Sequence, residues 1–515
     1  QAAYLQDKAD QEVRLVEISE SERRQKETFL TKLQGLCEIL CEANPSLPKV
    51  TLECFGSFKS GFASAGSDMD VAIVLKGNLS ESTYISLDEA GLPRSLEKML
   101  LENAIGARLL DKTRVPIIQV CEAPDDETLA KLTQNRKDWE DSPVEHKYPH
   151  LFKDGKKQDD QDEIVADAHE LKSTSKNEQA PEQFPAEIPN ERIHMEQSGK
   201  DSVPRTNSAS PTIQKNKPII DPVSENGGES TNTEKEAQSQ PKRERPWTRE
   251  RKKATMDFPK EGVGIQCDIN FFNPLGIHNT KLLRCYSSCD PRVRPMILFI
   301  KAWAKRRKIN SSYSGTLSSY GYVLMVLHYL VNITKPPVLP NLQRQLQVGS
   351  TFFEPGRAPV QVGEWVVDFC QDEIALLEAA RSGQLTKSNE PLGSLLAGFF
   401  HYYAAQGGWR PDQSFFWKDS VLSLRSPGGI LSKEDKGWTR LVTEEVDGKE
   451  VRHRYLFAIE DPFELRHNVA RTVGHQGIVA VRDEFRRAHR ILLDAGNSRP
   501  LRDGELLDPF VDPEE

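Results

Sequence analysis

The sequence predicts an α+β fold: a sheet-bearing domain, a mainly α-helical domain and a long disordered insertion. Three observations support this prediction. β-Favourable segments occur on both sides of a polar stretch, that stretch lacks apolar periodicity, and the C-terminal half shows helical periodicity. The expected strands are residues 50–55, 71–75, 115–120 and 265–272. Because strands precede and follow the polar stretch, we expect two pieces of one sheet to flank the insertion.

Shifts in composition set the expected domain boundaries, and a chain of 515 residues exceeds what one hydrophobic core usually supports. The expected segments are an N-terminal helix packed on the helical domain (1–48), the sheet-bearing domain (49–124 and 256–275), the disordered insertion (125–255) and the helical domain (276–515). The insertion is rich in Lys, Glu, Asp, Gln, Ser, Asn and Pro, which favours disorder. The expected helices are residues 12–43, 86–103, 292–307, 320–330, 366–380, 394–403 and 482–493.

Composition excludes several classes of protein. No apolar run approaches the roughly 20 residues that span a bilayer, and the N-terminus lacks a signal-peptide core. The eight cysteines form no CxxC pair, so neither a zinc site nor a disulfide framework is predicted. A net charge of −9 argues against non-specific nucleic-acid affinity over the whole surface, while a local basic groove stays possible. We expect a soluble protein without membrane contact, and cytoplasm over nucleus.

The strongest local signal is a pair of carboxylates behind a Gly-Ser turn. Asp68 and Asp70 follow Gly56-Ser57 and directly precede an apolar strand, on which residues two apart project from the same face. Two adjacent carboxylates repel each other unless cations are present, and oxygen ligands suit Mg²⁺ or Mn²⁺. Asp268 lies in a second apolar strand, where an unpaired acid is costly. The alternatives are a chance surface DxD and a capping or salt-bridged Asp268.

Together the three carboxylates predict two-metal chemistry on phosphate groups. The Gly-Ser turn offers backbone N–H groups and a hydroxyl to phosphate oxygens. In such a mechanism the metals bridge a triphosphate and lower the pKa of an attacking hydroxyl, so no side-chain nucleophile is required. The absence of a GxSxG elbow, an HExxH motif and a P-loop agrees with this interpretation.

At this point the chain resembles the DNA polymerase β-like nucleotidyltransferases, specifically the terminal uridylyltransferases and the cytoplasmic poly(A) polymerases. The matching stretches are residues 55–75, 267–286, 297–330, 392–404 and 458–473. The resemblance implies a palm with a mixed sheet that carries the carboxylates and faces a helical central domain. It also implies template-independent nucleotide addition to RNA 3′ ends, with mRNA in decay as the RNA and a monomer as the active form.

The resemblance assigns roles to individual residues. It implies Asp68, Asp70 and Asp268 as catalytic metal ligands, Gly56 and Ser57 as the phosphate-binding turn, Asn279 and Thr280 as ribose contacts, Lys301 and Lys305 as triphosphate contacts, Ser319 as a phosphate contact, Tyr320 as a base-stacking residue, and Asp461, Arg466 and His467 as parts of the base-recognition segment. Without it, lysines four apart on a helix are equally well explained as a solvated stripe, and Tyr320 as core packing.

Base choice follows from two residues of that segment. By resemblance, His467 favours uracil because it fills space that a purine requires. Arg466 stands where familiar UTP-preferring sequences have a small residue; an Arg cannot accept a hydrogen bond, whereas cytosine offers acceptors, so Arg466 can favour CTP. We therefore expect CTP or UTP as substrate.

Three other functions stay open: a poly(A) polymerase of the same fold, a catalytically inactive RNA-binding scaffold, and a nucleotidyltransferase acting on antibiotics or proteins. A further open point is the basic stretch 241–253 around Trp247, which can contact RNA or act as a targeting signal. A solvated linker end is the preferred explanation for that stretch.

Overall fold

The computed structural model describes residues 1–76, 91–111, 116–147, 247–250, 256–271, 273–344, 358–404, 414–439, 442–446 and 449–512. The segments Gln1–Lys153 and Pro246–Glu515 belong to one unit. Residues 148–246 lie outside the described residues, and with them most of the predicted insertion. The first part of the predicted helix 86–103 lies outside them too.

A five-stranded sheet forms the first layer of the fold. Its strands are β1 (Val50–Phe55), β2 (Met69–Leu75), β3 (Gly106–Leu110), β4 (Ile117–Cys121) and β5 (Gln266–Phe271), in the order β1-β2-β5-β4-β3. β2 and β5 are parallel, and the other neighbours are antiparallel. β5, from beyond the insertion, thus lies between two strands from before it. The prediction of two pieces of one sheet is confirmed, although β3 was not foreseen.

Helices and short strand pairs make up the rest of the described chain. The helices are α1 (Ala2–Val16), α2 (Glu20–Ala43), α3 (Gly56–Ser60), α4 (Leu92–Glu102), α5 (Asp126–Glu140), α6 (Val144–Lys147), α7 (Pro274–Cys289), α8 (Val293–Arg306), α9 (Ser319–His328), α10 (Glu373–Arg381), α11 (Leu392–Ala404) and α12 (His475–Gly496). The strand pairs are β6 (Gln361–Val362) with β7 (Trp365–Val366), β8 (Ser420–Leu422) with β9 (Ile430–Ser432), and β10 (Val442–Val446) with β11 (Lys449–His453).

The N-terminal segment forms two helices instead of one. The chain leaves helical geometry after Val16, and Ser19 caps α2 by accepting a hydrogen bond from the Glu22 backbone N–H at 3.1 Å. α1 packs on α8 and α11, whereas α2 packs on β1 and α4. The prediction that residues 1–48 pack on the helical domain therefore holds only for α1. The cause is the different apolar stripe of α2, with Phe29 and Leu33 in the core beneath the sheet.

Ordered structure extends further into the predicted insertion than expected. α5 begins after Asp125, whose side chain caps it, and Leu132 is buried against the sheet core. The guanidinium groups of Arg94 and Arg136 lie 3.9 and 4.6 Å from the centroid of the Trp139 ring. The prediction of disorder from residue 125 is wrong for this helix. Its apolar positions are too few to give periodicity, and charged side chains packed on one aromatic ring replace them.

The described residues form two large hydrophobic cores and one small cluster around Val421, Trp438, Tyr455 and Ala458. One large core lies under the five-stranded sheet, and the other, rich in aromatic rings such as Trp303, Phe399 and Phe485, joins α1 to the C-terminal helices. Most predicted C-terminal helices are confirmed, but α10 begins only after Asp372, which caps it, because Trp365–Val366 pairs as a strand. Among the described residues, no helix is long and apolar enough to cross a bilayer.

Candidate active site

The parallel pairing of β2 with β5 brings the predicted carboxylates together. Asp70 and Asp268 occupy directly paired positions, and Asp68 lies two residues before Asp70. Gly56, with φ of +67°, approaches Asp70 so closely that a Cβ atom there would lie 2.0 Å from Asp70 Oδ2. A side chain at position 56 is therefore excluded for two reasons, the left-handed backbone and the adjacent carboxylate.

The three carboxylates are accessible yet electrostatically unbalanced. Asp70 and Asp268 are half-buried, and Asp68 is exposed. Loss of solvation, followed by the charges of the neighbouring carboxylates, raises the pKa of Asp70 to about 6 and that of Asp268 to about 7. Desolvation also raises the pKa of Asp68, although Lys26 and Lys305 oppose the shift. The charges of Lys26, Lys301 and Lys305 oppose the shifts at Asp68 or Asp70, yet the pKa of every one of the three carboxylates stays raised.

A divalent cation is the group that this donor set fits. All three side chains offer only oxygen atoms, which are the ligands that hard cations prefer. Within the described part of the chain, no three His, Cys, Asp or Glu side chains are arranged closely enough to hold a metal ion as they stand. Asp268 lies on β5, whereas Asp70 lies on β2 and Asp68 directly precedes that strand. The repulsion that contributes to the raised pKa values of Asp70 and Asp268 is what a bound cation would relieve. The residues therefore fit such a cation, although their arrangement is not a preformed cage.

The Gly-Ser turn is already engaged by protein atoms. The Gly56 backbone N–H donates to Thr280 Oγ1 at 2.8 Å, and the Ser57 backbone N–H donates to the Asp70 carboxylate. The Thr280 hydroxyl donates in turn to the Gly276 carbonyl oxygen at 2.8 Å. These two N–H groups therefore hold the turn against Asp70 and α7 rather than pointing to a phosphate. The Ser57 hydroxyl remains the predicted phosphate contact, and Thr280, which is buried, supports the turn instead of facing a ribose.

The two predicted lysines lie on α8 with different exposures. Lys301 is buried, and its Nζ donates to the Phe62 carbonyl oxygen at 2.6 Å. Burial lowers the pKa of Lys301 to about 8, and the nearby Asp70 charge opposes the shift. Lys305, one turn further, is exposed. Lys301 thus lies beneath the carboxylates and Lys305 at the surface beside Asp68.

Asp461 connects three predicted nucleotide contacts. Its carboxylate accepts hydrogen bonds from Asn279 Nδ2 at 3.2 Å and from the Tyr320 hydroxyl at 3.0 Å. It also accepts from the backbone N–H groups of Phe463 and Glu464, at 2.9 and 3.0 Å. Burial raises the pKa of Asp461, and these hydrogen bonds oppose the shift. The carboxylate therefore fixes Asn279, Tyr320 and the start of the base-recognition segment relative to each other.

The other predicted residues near Asp461, namely Ser319, His467 and Arg466, have different partners. The Ser319 hydroxyl pairs with the side chain of Asn310 at 2.9 Å. His467 is half-buried, and its carbonyl oxygen accepts from the Asp461 backbone N–H. Arg466, in contrast, is exposed and forms an ion pair with Glu364 at 3.2 Å. The structure thus joins Asn279, Tyr320 and Asp461 by direct bonds, whereas it directs the Arg466 side chain to the β6–β7 hairpin.

Lys26 is a further residue of the site that was not predicted from the sequence. This buried lysine of α2 lies close enough to Asp68 and Asp70 for its charge to oppose the rise in their pKa. A signal was present, because Lys26 precedes Phe29 by three residues and so falls on the apolar stripe of an amphipathic helix. A charged residue on such a stripe indicates a buried contact that needs a partner.

The basic stretch around Trp247 ends on the helical domain. Trp247 Nε1 donates to the Ser314 carbonyl oxygen at 3.1 Å. Arg249 pairs with the buried Glu484 at 2.6 Å, and its guanidinium lies 3.6 Å from the centroid of the Phe510 ring. The preferred explanation of a solvated linker end is wrong for these residues, because both side chains have protein partners.

Two family models match the chain. The model described as Cid1 family poly A polymerase matches residues 391–467, and the model described as the central palm domain of a mitochondrial-like poly(A) RNA polymerase matches residues 5–130. The first includes the base-recognition segment up to His467, and the second includes Asp68 and Asp70. The matches thus fall in both folded parts.

Named relatives agree with these models. The chain is 43% identical to terminal uridylyltransferase cid1 of Schizosaccharomyces pombe over 233 residues, 45% of this chain and 51% of the relative. It is 32% identical to poly(A) RNA polymerase GLD2-B of Xenopus laevis, over 49% of this chain and 42% of the relative. The chain therefore spans about half the length, or less, of these relatives.

Solved structures match over nearly the whole chain. A structure of Cid1, described by its RNA terminal uridylyl transferase activity, superposes with a TM-score of 0.59 at 25% identity and 99% coverage of both chains. A cytoplasmic RNA terminal U-transferase superposes with a TM-score of 0.58 at the same identity and coverage. The predicted polymerase β-like α+β fold is confirmed, and so is the predicted resemblance of the chain to the poly(A) polymerases and terminal uridylyltransferases of the Cid1 type.

Proposed function

We propose that the chain is a template-independent nucleotidyltransferase that extends RNA 3′ ends, with UTP or CTP as its nucleotide. The observation that carries this proposal is the β2–β5 register, which pairs Asp70 with Asp268 beside Asp68 in an accessible, negatively charged site. In the reaction, the RNA 3′-hydroxyl oxygen forms a bond to the α-phosphorus of the nucleotide. The bond from that phosphorus to the bridging oxygen breaks, pyrophosphate leaves, and the hydroxyl proton passes to solvent.

Divalent cations, with Mg²⁺ or Mn²⁺ as the proposed ions, would be held by Asp68, Asp70 and Asp268 and would supply charge stabilisation to the triphosphate and the attacking oxygen. Among this chain's own groups, Lys305 offers an exposed ammonium next to the carboxylates. The Ser57 hydroxyl is also proposed as a contact to the phosphates. Lys301, already bonded to the Phe62 carbonyl, contributes its charge from below.

Nucleotide recognition is proposed for the group around Asp461. Tyr320 and Asn279 are held by one carboxylate, and the segment that begins at Asp461 leads to His467. Asn279 is the proposed ribose contact, Tyr320 the stacking surface and His467 the residue that disfavours a purine. The 43% identity to a terminal uridylyltransferase supports the pyrimidine preference. The relatives named poly(A) RNA polymerases, at 32% identity, make ATP the alternative nucleotide.

The direct test is extension of a labelled oligo(A) RNA with Mg²⁺ and each nucleoside triphosphate separately. We expect extension with UTP or CTP that disappears in the Asp68→Ala/Asp70→Ala double variant. Extension mainly by ATP would replace the pyrimidine assignment by poly(A) polymerase. No extension with any nucleotide, while the chain still binds oligo(A) by fluorescence anisotropy, would favour the RNA-binding scaffold. A cytoplasmic location, a role in mRNA decay and a monomeric state stay predictions of the same proposal.

A further inference from the structure

The segment 64–68, which leads into the carboxylates, is held from one side by α2. Lys26 Nζ donates to the Ser67 carbonyl oxygen at 2.6 Å and forms an ion pair with Glu22 at 2.9 Å. The same Glu22 carboxylate accepts a hydrogen bond from the Gly66 backbone N–H at 3.0 Å. One pair of α2 side chains therefore bonds the backbone of two consecutive residues, Gly66 and Ser67, directly before Asp68.

Backbone contacts hold the start of the same segment. The Ala65 backbone N–H donates to the Val16 carbonyl oxygen at 2.8 Å, and Glu17 pairs with Ser64 in an isolated antiparallel bridge. The connection between α1 and α2 thus lies alongside residues 64 and 65. The segment is therefore hydrogen-bonded to the N-terminal helices at three successive residues, Ala65, Gly66 and Ser67.

Lys26 occupies a position where a charge is costly. Its side chain is 1% exposed, on the helix face that carries Phe29, and its ammonium lies 5.6 Å from the centroid of the Phe58 ring. Burying an ammonium group is unfavourable unless hydrogen bonds and an opposite charge compensate, and an apolar side chain of similar size would fill this space at lower cost. Its retained bonds are all to the carboxylate-bearing segment and to the residue that holds it.

Glu22 also departs from its ordinary role. It is the third residue after the cap Ser19, a position from which a Glu side chain usually reaches back to the backbone N–H of the cap. Here its carboxylate is directed to Gly66 and Lys26 instead. Glu22 thus bonds Gly66 and Lys26 instead of the cap of its own helix, and the Lys26 ammonium bonds Ser67 and Glu22 instead of water.

We propose that Lys26 and Glu22 are positioning residues, which hold the 64–68 segment so that Asp68 can bind a divalent cation together with Asp70 and Asp268. This inference rests on the proposed function. Removal of the Lys26 amine frees the Ser67 carbonyl and with it the peptide that begins Asp68. The geometry of the cation site is then lost while the nucleotide contacts around Asp461 remain.

The test compares Lys26→Met and Lys26→Arg with the unmodified chain. Mn²⁺ binding is followed by the electron paramagnetic resonance signal of free Mn²⁺, and extension kinetics are measured with UTP. We expect Lys26→Met to weaken Mn²⁺ binding and lower kcat about 10- to 100-fold, the effect of removing a residue that orients metal ligands. The KM for UTP should change by less than about threefold, and Lys26→Arg should restore most of both losses, because a guanidinium can also donate to Ser67 and pair with Glu22.

Lys433 supplies the matched control. It is also a buried lysine, 3% exposed, and its Nζ donates to the carbonyl oxygens of Trp417 and Leu456 at 3.1 Å, in the helical domain. Lys433→Met should lower the Tm and leave Mn²⁺ affinity unchanged. A folded Lys26→Met chain with unchanged or tighter Mn²⁺ binding would overturn the proposal, since loss of a positive charge alone should strengthen cation binding.

Glu22→Ala covers the case in which Lys26→Met does not fold. Glu22 is partly exposed, with 18% of its side chain accessible, so its removal is tolerated more readily. We expect this variant to weaken Mn²⁺ binding about tenfold, and unchanged Mn²⁺ binding would again contradict a positioning role. Because Mn²⁺ binding is measured without RNA or nucleotide, an unmodified chain that binds Mn²⁺ but extends no RNA would refute the proposed function and not this inference.

Discussion

The acidic groups of the sheet differ from Asp461 in how their charge is balanced. Asp461 is buried and accepts hydrogen bonds from two side chains and two backbone N–H groups. Asp68, Asp70 and Asp268 are more accessible. Desolvation is the first cause of all three pKa shifts, and repulsion by neighbouring carboxylates adds to the shifts of Asp70 and Asp268. Asp461 therefore has what it needs within the protein, whereas the three carboxylates of the sheet do not.

Asp461 therefore has a structural role, whereas Asp68, Asp70 and Asp268 are available to a ligand. A carboxylate that is fully hydrogen-bonded stabilises the fold and has no remaining capacity for a ligand. Carboxylates that repel one another destabilise the fold and gain most from an external cation. Substitution of Asp461 and substitution of one of the three carboxylates at the sheet should consequently have opposite effects on the free energy of unfolding.

The largest effect is expected at the sheet. Asp268→Asn removes one of the three charges, so the Tm of the cation-free chain should rise, while extension of RNA should fall about a thousandfold, corresponding to about 4 kcal/mol of transition-state stabilisation. Differential scanning fluorimetry and single-turnover extension measure the two quantities. Asp494→Asn is the control, because Asp494 is buried and paired with Arg502 at 2.9 Å, and its loss should lower the Tm with activity kept. A lowered Tm for Asp268→Asn would break the comparison.

A smaller and opposite pattern is expected for Asp461→Asn. The loss of hydrogen bonds to a charged acceptor, about 1.5–3 kcal/mol, should lower the Tm and reduce kcat/KM roughly 10- to 100-fold. Most of the reduction should be an increase in the KM for the nucleotide, because Asn279 and Tyr320 lose their shared partner. Steady-state kinetics with UTP would measure this. A lowered Tm with an unchanged KM would show that Asp461 supports only the fold.

The pH dependence of stability should reveal the unbalanced charges. The pKa values of Asp70 and Asp268 are raised to about 6 and about 7 in the folded chain, so between pH 4 and 7 the folded chain binds more protons than the unfolded chain. Their contribution to stability is thus present at low pH and is lost as the pH rises through the folded values. In EDTA, the Tm of Asp268→Asn relative to the unmodified chain should increase from pH 5 to pH 8. A Tm difference independent of pH would contradict the shifts.

A further comparison tests whether the segment that begins at Asp461 selects the base. His467→Asn should enlarge the space for the base, and the ratio of ATP to UTP incorporation should rise roughly tenfold, within the range that pocket size alone discriminates. Competition between the two nucleotides on one RNA, resolved by sequencing the products, gives this ratio. An unchanged ratio would mean that the base is chosen elsewhere in the cleft.

The smallest effect is expected for Arg466→Ser. If the guanidinium contacts a cytosine edge, the ratio of CTP to UTP incorporation should fall. The observed ion pair with Glu364 on an exposed surface predicts instead a change of at most about fivefold, since such pairs contribute about 0–1 kcal/mol. The same competition assay measures it, with Glu364→Gln as the control that frees Arg466 without removing it. A larger shift in both variants would show that Arg466 reaches the base.

Sequence patterns predicted the elements that have a strong period and missed those fixed by tertiary contacts. The apolar strand after Asp70 and the helices α8 and α12 were evident because burial imposes a repeat on them. α5 was missed because Trp139 is packed between arginines. The carboxylates could be predicted because Asp68 and Asp70 directly precede an apolar strand and Asp268 interrupts another. The engagement of the Gly56 N–H by Thr280 could not, since the two residues are far apart in sequence and no local pattern links them.

The position of β5 between β2 and β4 has a consequence for a broken chain. A cut anywhere between residues 148 and 246 would leave Asp68 and Asp70 on one fragment and Asp268 on the other. The second fragment would still supply the strand that completes the sheet, bordered on both edges by strands of the first. Activity would then depend on association of the two polypeptides. Separately expressed fragments should therefore complement each other, and extension of RNA would indicate that β5 has inserted between β2 and β4.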